Sequence, residues 1–264
     1  MDYKKFKEDF FNNFEIVNIK RNTFTTEGVL TGYYEPVIKA FSFPKKGSYP
    51  IYKHPSNISN IIDAEVTRKK INEGYLKNYN LEIAWVENEI EAFFLQIQGS
   101  GRLKLENQKI IKVRFAGSNN KKYTSLGRIL IQYGHMEKKN IDMYKIKNWL
   151  YKNKDLARRY MNMNDRFIYF EEYSGNIKGS SGLELVPNIS LAVDKRFIKT
   201  GEAMVIQSVD KRKDLFIGVA HDEGAAIKGY NRLDLFAGYG LLAEEKAAKL
   251  NKKILARKLI PKIK

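Results

Sequence analysis

The chain has 264 residues, which is enough for one large domain or for two modest domains that each bury a core. Hydrophobic residues make up 43% and aromatic residues 12%, so wholesale disorder is excluded. The chain has no cysteine, which excludes disulfides, zinc-thiolate sites and a thiol nucleophile. The formal charge of +17 is typical of a protein that meets an anionic polymer, but equally of lysine drift in an AT-rich genome.

Targeting signals are not evident. No run of 18 or more apolar residues is present, so the sequence predicts no helix that spans a membrane. The first 14 residues contain neither an apolar signal core nor a lipid-acceptor cysteine. We therefore expect an export signal to be absent by nature or to have been removed.

The first half of the chain changes from a helical to a strand pattern. Charge and Phe alternate at helical spacing over residues 4–14, which predicts a short amphipathic helix. A β-prone segment follows at 28–38, and a short helix is predicted over 67–73 behind a Thr cap. Strands are predicted in three segments rich in β-branched and aromatic residues: EIAWVE (82–87), EAFFLQIQG (91–99) and IIKVRFAG (110–117).

The second half begins with helices and returns to strands. Helices are predicted in SLGRILIQYG (125–134) after a Ser125 cap, in IDMYKIKNWLYKN (141–153) after Asn140, and in DLARRYM (155–161). Short strands follow in ISLAVDKRFI (189–198), AMVIQSV (203–209) and LFIGVA (215–220), with the spacing of a small barrel or sandwich. A last helix, LLAEEKAAKLNKK (241–253), is predicted to close the chain.

Common catalytic and metal motifs are missing. The three histidines, His54, His135 and His221, lack the close pairing of metal ligands, so we predict no metal site. There is no GxSxG elbow, and QGSGR (98–102) lacks the lysine and the strand-to-helix context of a phosphate loop.

Polar residues within apolar, strand-like segments are the remaining candidates. Asp194, Asp222 and Asp234 stand in such segments, and Gln96 and Gln98 are expected on one face of a strand. Carboxylates in β structure cost free energy unless they are paired or hydrogen-bonded. For any single aspartate, turn capping or ion pairing is the simpler explanation, so the pattern alone predicts only a carboxylate site in a basic, β-rich chain.

Taken together, seven segments resemble the lytic murein transglycosylase A family, in family order and over about residues 28–245. They are LTGYYEPVI (30–38), YPIYKHP (49–55), TRKKINEG (67–74), FFLQIQGSGRL (93–103), YTSLGRILIQYG (123–134), LVPNISLAVDKRFIKTG (185–201) and HDEGAAIKGYNRLDLFAGYG (221–240). Two departures stand out: the usual D-T-G reads Asp222-Glu223-Gly224, and SNNKKY (118–123) replaces a more usual N-G turn.

The resemblance implies a mainly β fold with a few helices. A double-psi β-barrel catalytic domain would be formed from both chain ends, residues 1–35 and 173–264. A smaller inserted β-rich domain, residues 36–172, would complete a groove for the glycan. The implied partner is the peptidoglycan glycan strand, with no cofactor and no nucleic acid. A monomer in the cell envelope (periplasm or outer membrane) is expected, and peripheral or lipid-anchored membrane association is compatible with this.

The resemblance also implies cleavage of the β-1,4 bond between N-acetylmuramic acid and N-acetylglucosamine, which leaves 1,6-anhydromuramoyl ends. Asp234 would be the single general acid and then base, supported by Asp222, Asp194 and Lys228. That role needs a raised pKa, which burial and the charge of Asp222 would produce. The residues expected to contact substrate are Thr31, Tyr33, Gln96, Gln98, Gly99, Ser100 and Gly101.

Three alternatives stay open at this point. A glycoside hydrolase could use Asp234 and Asp222 as two carboxylates and would leave reducing ends. A catalytically silent peptidoglycan-binding module could keep the groove without chemistry. A nucleic-acid-binding protein is motivated only by the +17 charge, and no recognised motif supports it.

Overall fold

A computed structural model describes residues 12–19, 27–55, 65–211 and 214–262. The chain forms two compact units. The first consists of residues 1–33, 176–238 and 245–264, and the second of residues 34–175 and 239–244. No helix in the described ranges has the length and apolar character needed to cross a membrane.

Strands dominate the described residues. They are β1 (Phe14–Asn18), β2 (Gly28–Glu35), β3 (Val37–Phe41), β4 (Tyr49–Tyr52), β5 (Glu82–Val86), β6 (Ser100–Lys104), β7 (Ile110–Ser118), β8 (Ile168–Glu172), β9 (Ser190–Val193), β10 (Ala203–Ser208), β11 (Leu215–Glu223), β12 (Arg232–Tyr239) and β13 (Asn251–Pro261). The α-helices are α1 (Arg68–Asn72), α2 (Glu89–Gln98), α3 (Leu126–Gln132), α4 (Met143–Lys152), α5 (Lys154–Asn162) and α6 (Gly240–Lys249).

The sheet of the first unit closes on itself. Its strand order is β1-β13-β10-β11-β9-β12-β2, and β13 also pairs with β2, which completes a ring. β9 and β11 run in parallel. The ring is filled by alternating apolar side chains, among them Leu30, Leu191, Met204, Ile206, Ala220, Leu233 and Ile254. The predicted mainly β fold, with a barrel-like domain built from both chain ends, is confirmed.

The second unit contains an open six-stranded sheet in the order β4-β5-β3-β6-β7-β8. Its core includes Ile51, Val86, Leu95, Leu103 and Phe170, all of which are buried. Helices α2 to α5 enclose a further apolar cluster in the same unit. The predicted inserted β domain is therefore present, with hydrophobic cores of its own, but it forms the larger of the two units and not the smaller one.

Two predicted helix starts are confirmed by their caps. The Thr67 hydroxyl accepts a hydrogen bond from the backbone N–H of Lys70 at the start of α1. The Ser125 hydroxyl accepts one from the N–H of Arg128 at the start of α3. The helix predicted over 4–14 falls mostly outside the described residues, and Phe14 already belongs to β1.

The strand prediction for EAFFLQIQG is wrong, because these residues belong to α2. The Asn88 side chain caps this helix by accepting from the N–H groups of Ile90 and Glu91, at 3.0 and 3.1 Å. Gly99 ends it in the left-handed conformation, with φ +80°. Residues two positions apart on a helix point about 200° apart. Gln96 and Gln98 therefore do not share a face.

The prediction that a helix closes the chain is also wrong. α6 ends at Lys249, and the eleven-residue strand β13 follows it. The Lys, Ala, Leu and Arg residues of this segment favour a helix when read alone. Three neighbouring strands, β1, β10 and β2, instead satisfy its backbone groups, and Ile254 and Ala256 become buried in the ring.

Candidate functional site

Asp234 lies in the middle of β12, between two leucines that are buried in the ring. Because side chains alternate along a strand, its carboxyl group points away from these leucines. β2 is the neighbour of β12 in the sheet, and it brings Thr31 to the carboxyl group. The Thr31 hydroxyl donates a hydrogen bond of 2.7 Å to Oδ1 of Asp234.

The pKa of the Asp234 carboxyl is raised from 3.8 to about 6. Burial is the largest cause, and the negative charge of Asp222 adds to it. The hydrogen bond from Thr31 and the positive charge of Arg232 act in the opposite direction. Burial and Asp222 are the two causes expected from the sequence. The carboxyl group can therefore hold a proton close to neutral pH and can also release it.

Asp222 stands near the end of β11 and is fixed by three donors. The Tyr33 phenol donates to Oδ2 at 3.0 Å, and the backbone N–H groups of Ser180 and Glu223 each donate to Oδ1 at 2.9 Å. Burial raises the pKa of Asp222, whereas these hydrogen bonds lower it. The Tyr33 ring packs against Phe236 with centroids 5.3 Å apart. Burial and Asp222 raise the pKa of Tyr33 well above its usual value, so the phenol remains a donor.

A short loop supplies one of these donors and is tied to the strand beside it. The Ser181 hydroxyl donates to the carbonyl of His221 at 2.6 Å, and a Cβ on Gly179 would lie 2.2 Å from the same carbonyl oxygen. Nδ1 of His221 lies 2.8 Å from Oγ of the buried Ser190. The sequence reasoning missed this loop. The turn-rich composition of GSSG (179–182) was the available signal, but it does not indicate which strand the loop meets.

Asp194 is held in a different way. It follows directly after β9, is 5% exposed, and binds the Arg196 guanidinium, with Nε to Oδ1 at 2.9 Å. It also accepts a hydrogen bond of 2.8 Å from the backbone N–H of Gly229. The hydrogen bond from Arg196 holds the pKa of Asp194 well below its usual value. A carboxylate that stays ionised cannot donate a proton, so this geometry favours a role in fixing two turns.

Lys228 is exposed, and its ammonium group forms no ion pair within the ranges that the structure describes. It is not among the groups that shift the pKa of Asp234. Its chain neighbour Gly229 binds Asp194 instead. The structure therefore brings together Asp234, Asp222, Thr31 and Tyr33, with Asp194 and Lys228 outside their hydrogen-bond network.

The two predicted glutamines belong to the second unit and are bonded within it. Gln96 is 5% exposed, and its amide oxygen accepts from the N–H of Ile168 at 3.4 Å. The amide oxygen of Gln98 accepts from the N–H of Tyr34 at 3.1 Å. Both side chains therefore support the local fold of this unit.

The glycine-rich segment after α2 has varied surroundings. Gly99 has open space where a Cβ would be, although its positive φ disfavours any side chain. A Cβ on Gly101 would lie 2.3 Å from Cδ1 of Leu95, so a larger residue here would displace this buried side chain. Ser100 is 8% exposed at the start of β6. Across the described residues, no group of three or more acidic, His or Cys side chains is arranged to hold a metal ion.

Family models match most of the chain. One described as the MltA specific insert domain matches residues 29–171, and one described as the 3D domain matches residues 189–258. These two ranges correspond to the second unit and to the larger part of the barrel-like unit.

Named relatives agree with the models. A protein of Buchnera aphidicola named membrane-bound lytic murein transglycosylase A homolog is 36% identical over 84% of this chain and 62% of its own length. The membrane-bound lytic murein transglycosylase A of Vibrio cholerae is 31% identical over 80% of this chain and 60% of its own length. The chain thus spans about three fifths of the length of these relatives.

The architecture agrees as well. The crystal structure of Escherichia coli MltA with bound chitohexaose superposes with a TM-score of 0.84 at 25% identity, covering 99% of this chain and 79% of the other. The resemblance of the seven segments is confirmed by the two family-model matches, of which the insert-domain match alone spans more than half of the chain. The chain therefore belongs to the membrane-bound lytic murein transglycosylase A family.

Proposed function

We propose that this protein is a peptidoglycan lytic transglycosylase that uses Asp234 as its single acid and base. The observation that carries the proposal is the enclosed Asp234 carboxyl, whose pKa is raised to about 6. At pH 7, an acid of that pKa is protonated in roughly one molecule in ten, about a hundredfold more than an ordinary aspartic acid. Family membership supports the transglycosylase activity.

In the first step, protonated Asp234 donates its proton to the glycosidic oxygen between N-acetylmuramic acid and N-acetylglucosamine. The bond from C1 of the muramic acid to that oxygen breaks, and the oxygen leaves as the C4 hydroxyl of the glucosamine. Asp234 becomes a carboxylate, which the Thr31 hydroxyl and the Arg232 charge stabilise.

In the second step, the C6 hydroxyl of the same muramic acid attacks C1. Its proton passes to the Asp234 carboxylate, which restores the acid and leaves a 1,6-anhydro ring. No water is consumed. The attacking hydroxyl is already tethered beside the anomeric carbon, so its effective concentration is high and a second catalytic carboxylate is not required.

The surroundings of Asp222 favour this mechanism over a two-carboxylate hydrolase. Three of the roughly four lone pairs of the Asp222 carboxylate already accept hydrogen bonds, one from Tyr33 and two from backbone N–H groups. A nucleophile or water-activating base needs a free oxygen lone pair aimed at the reaction. We assign Asp222 the supporting role of raising the pKa of Asp234.

The ring domain, proposed as residues 1–35 and 173–264, would carry the chemistry. The insert, proposed as residues 36–172, would add glycan contacts. Escherichia coli MltA has been crystallised with bound chitohexaose, which supports an extended glycan as the ligand of this chain. We propose Tyr33 and the backbone at Gly99 as glycan contacts. Gln96 is not proposed, because its amide oxygen accepts a hydrogen bond inside its own unit. We further propose action as a monomer in the cell envelope, at the periplasmic side of the outer membrane.

The proposal is tested by digesting purified peptidoglycan sacculi with the protein and analysing the products by mass spectrometry. We expect products that are lighter than hydrolase products by one water and that lack a reducing end. Asp234→Asn should abolish their release. Asp214→Asn is the matched control, because Asp214 is an exposed aspartate of the same unit.

Each other outcome selects an alternative. Reducing ends would overturn the transglycosylase mechanism in favour of a hydrolase. Binding of sacculi without any release by the wild-type protein would favour a silent binding module. Full activity of Asp234→Asn would move the catalytic residue elsewhere.

A further inference from the structure

A single hydroxyl group stands between Asp234 and a guanidinium group. Nη2 of Arg232 lies 3.0 Å from Oγ1 of Thr31, which in turn lies 2.7 Å from Oδ1 of Asp234. Arginine has donors and no acceptor, so Thr31 accepts from Arg232. A hydroxyl has only one proton to give, so the proton of Thr31 is directed to Oδ1 of Asp234.

This direction distinguishes the two oxygens of the Asp234 carboxyl. If the acid proton lay on Oδ1, it would face the oxygen of Thr31, and the Thr31 proton would lose its acceptor. A polar hydrogen left unpaired in an enclosed site costs free energy. The acid proton is therefore more stable on Oδ2, where it does not compete with Thr31.

We infer that Thr31 and Arg232 are positioning residues that keep the transferred proton of Asp234 on Oδ2. We infer also that the Thr31 side chain, by its volume, keeps the guanidinium group from pairing directly with the carboxylate. Both inferences rest on the proposed function of Asp234 as acid and base. Thr31 was expected from the sequence to contact substrate, and the inference assigns it a positioning role instead. Arg232 is an additional site residue that was not predicted from the sequence.

The bonding of Arg232 supports this role. Within the described residues it forms no ion pair, and its Nε is buried without a hydrogen-bond partner. An unpaired buried donor is destabilising, so stability of the fold does not explain an arginine here. Arg232 and Asp234 are two positions apart on β12 and share a face, which places the charge beside the carboxyl group without direct contact.

The separation has a chemical consequence. A guanidinium group in direct contact with a carboxylate would hold the acid ionised at neutral pH and remove its proton from use. One intervening hydroxyl weakens the stabilisation of the carboxylate by the guanidinium group but does not remove it. When Asp234 gives up its proton, the Thr31 hydrogen bond becomes charge-assisted and stronger, so support increases as the acid turns into a base.

The other groups that act on Asp234 come from neighbouring strands. Asp222 on β11 opposes ionisation by its negative charge, and Tyr33 on β2 interacts with both carboxyl groups. On β9, the residue paired with Asp234 is Ala192, which is uncharged. Among the described residues, the cation that shifts the titration of Asp234 is thus Arg232.

The test uses the full chain with Thr31→Val, which removes the hydroxyl at nearly constant volume, and Thr31→Ser, which retains it. Carbon-13 NMR of the Asp234 carboxyl measures its titration in the absence of substrate, with Asp234→Asn used for assignment. We expect Thr31→Val to move this titration to higher pH and to lower kcat between about tenfold and a hundredfold. Thr31→Ser should restore both.

Arg232→Met is the second arm, and it stays informative if Thr31→Val folds poorly. It should also move the Asp234 titration to higher pH, and its effect on kcat should be smaller in the Thr31→Val background than alone. An unchanged titration in Thr31→Val, a Thr31→Ser variant without rescue, or additive effects of the two changes would each overturn the inference. If the wild-type protein released no anhydro ends, the proposed function would fail, while the titration would still decide whether Thr31 and Arg232 act on Asp234.

Discussion

The phenol of Tyr33 donates a hydrogen bond of 3.0 Å to Oδ2 of Asp222, and so connects β2 to β11 within one unit. The two residues are 189 positions apart in the sequence. Through this bond Tyr33 acts on Asp234 at one remove, because the charge of Asp222 raises the pKa of Asp234. The pH at which the proposed acid works therefore depends on a residue that does not itself hydrogen-bond to it.

Replacing Tyr33 by Phe tests this dependence. The hydrogen bond lowers the pKa of Asp222, so its loss should raise that pKa and reduce the negative charge that Asp222 places beside Asp234. The pKa of Asp234 should then fall, and the high-pH decline of kcat/KM should move to lower pH. Loss of a hydrogen bond to a charged group should also cost about 1–3 kcal/mol of unfolding free energy. Tyr79→Phe, at an exposed tyrosine, is the control and should change neither quantity.

The pH dependence of the wild-type reaction is a second prediction. The first step needs protonated Asp234, whose pKa is about 6. We expect kcat/KM on soluble glycan strands to be level below about pH 5, to be halved at about pH 6 and to fall about tenfold per pH unit well above it. The measurement is a pH–rate series at constant ionic strength. A decline that begins near pH 4 would show that Asp234 titrates as an ordinary aspartic acid.

The same pKa shift predicts that the proposed catalytic residue destabilises the fold at neutral pH. The folded pKa of about 6 exceeds the usual 3.8, so the stability linked to Asp234 is present below pH 3.8 and is lost as the pH rises through 6. At pH 8 we expect Asp234→Asn to be more stable than the wild type by about 1–3 kcal/mol. Near pH 4 the difference should vanish.

Chemical denaturation at the two pH values measures this difference. Asparagine keeps an oxygen that can accept from Thr31, so the comparison isolates the charge. Asp214→Asn, at an exposed position, should show no such pH-dependent gain. An Asp234→Asn variant that is less stable than the wild type at pH 8 would contradict the assignment.

The loop that supplies Ser180 to Asp222 gives a fourth prediction. A Cβ at Gly179 would lie 2.2 Å from the backbone oxygen of His221, so Gly179→Ala must displace either the loop or β11. We expect a lower melting temperature and reduced activity, because the N–H of Ser180 would lose its bond to Asp222. Gly127→Ala is the matched control. Its Cβ would meet the flexible ends of Ile141 and Ile146 at 3.2 Å and the Ser125 Oγ at 3.7 Å. Gly127 lies in α3, where alanine favours the helix by up to about 1 kcal/mol.

Local patterns predicted those elements whose propensity agrees with their tertiary surroundings. β5, β7 and β10 were predicted from their β-branched and aromatic residues, of which the sheets bury Val86, Val113 and Ile206 among others. α2 was missed because Phe93, Phe94 and Leu95 are all buried, and a helix that is apolar on several sides lacks helical periodicity. Its cap, Asn88, and its end, Gly99, were the usable signals. β13 could not be predicted locally, since its strand form depends on partners far away in the sequence.

The candidate site shows the same division. The family resemblance of residues 221–240 singles out Asp234. Its apolar chain neighbours and the acidic Asp222 predict that its pKa is raised. The pairing of Thr31 with Asp234 spans 203 positions and follows only from closure of the sheet. Arg232 stands two positions before Asp234, so the strand period could have placed both on one face. The Ser180 contact depends on a loop path, for which the residues carry no comparable signal.

Ring closure by β13 has a consequence for the newly made chain. Thr31 on β2 pairs with Asn251 on β13, which is synthesised 220 residues later. The second unit, in contrast, has its own cores, and its sheet contains no part of β13. Contacts between distant segments form slowly because the intervening chain must first be ordered. We expect the second unit to fold on the ribosome, while β1 and β2 stay unpaired with β13 until that strand has been synthesised. The acid and its hydroxyl partner would then meet only after β13 has been made, so that a nascent chain without β13 carries no working site.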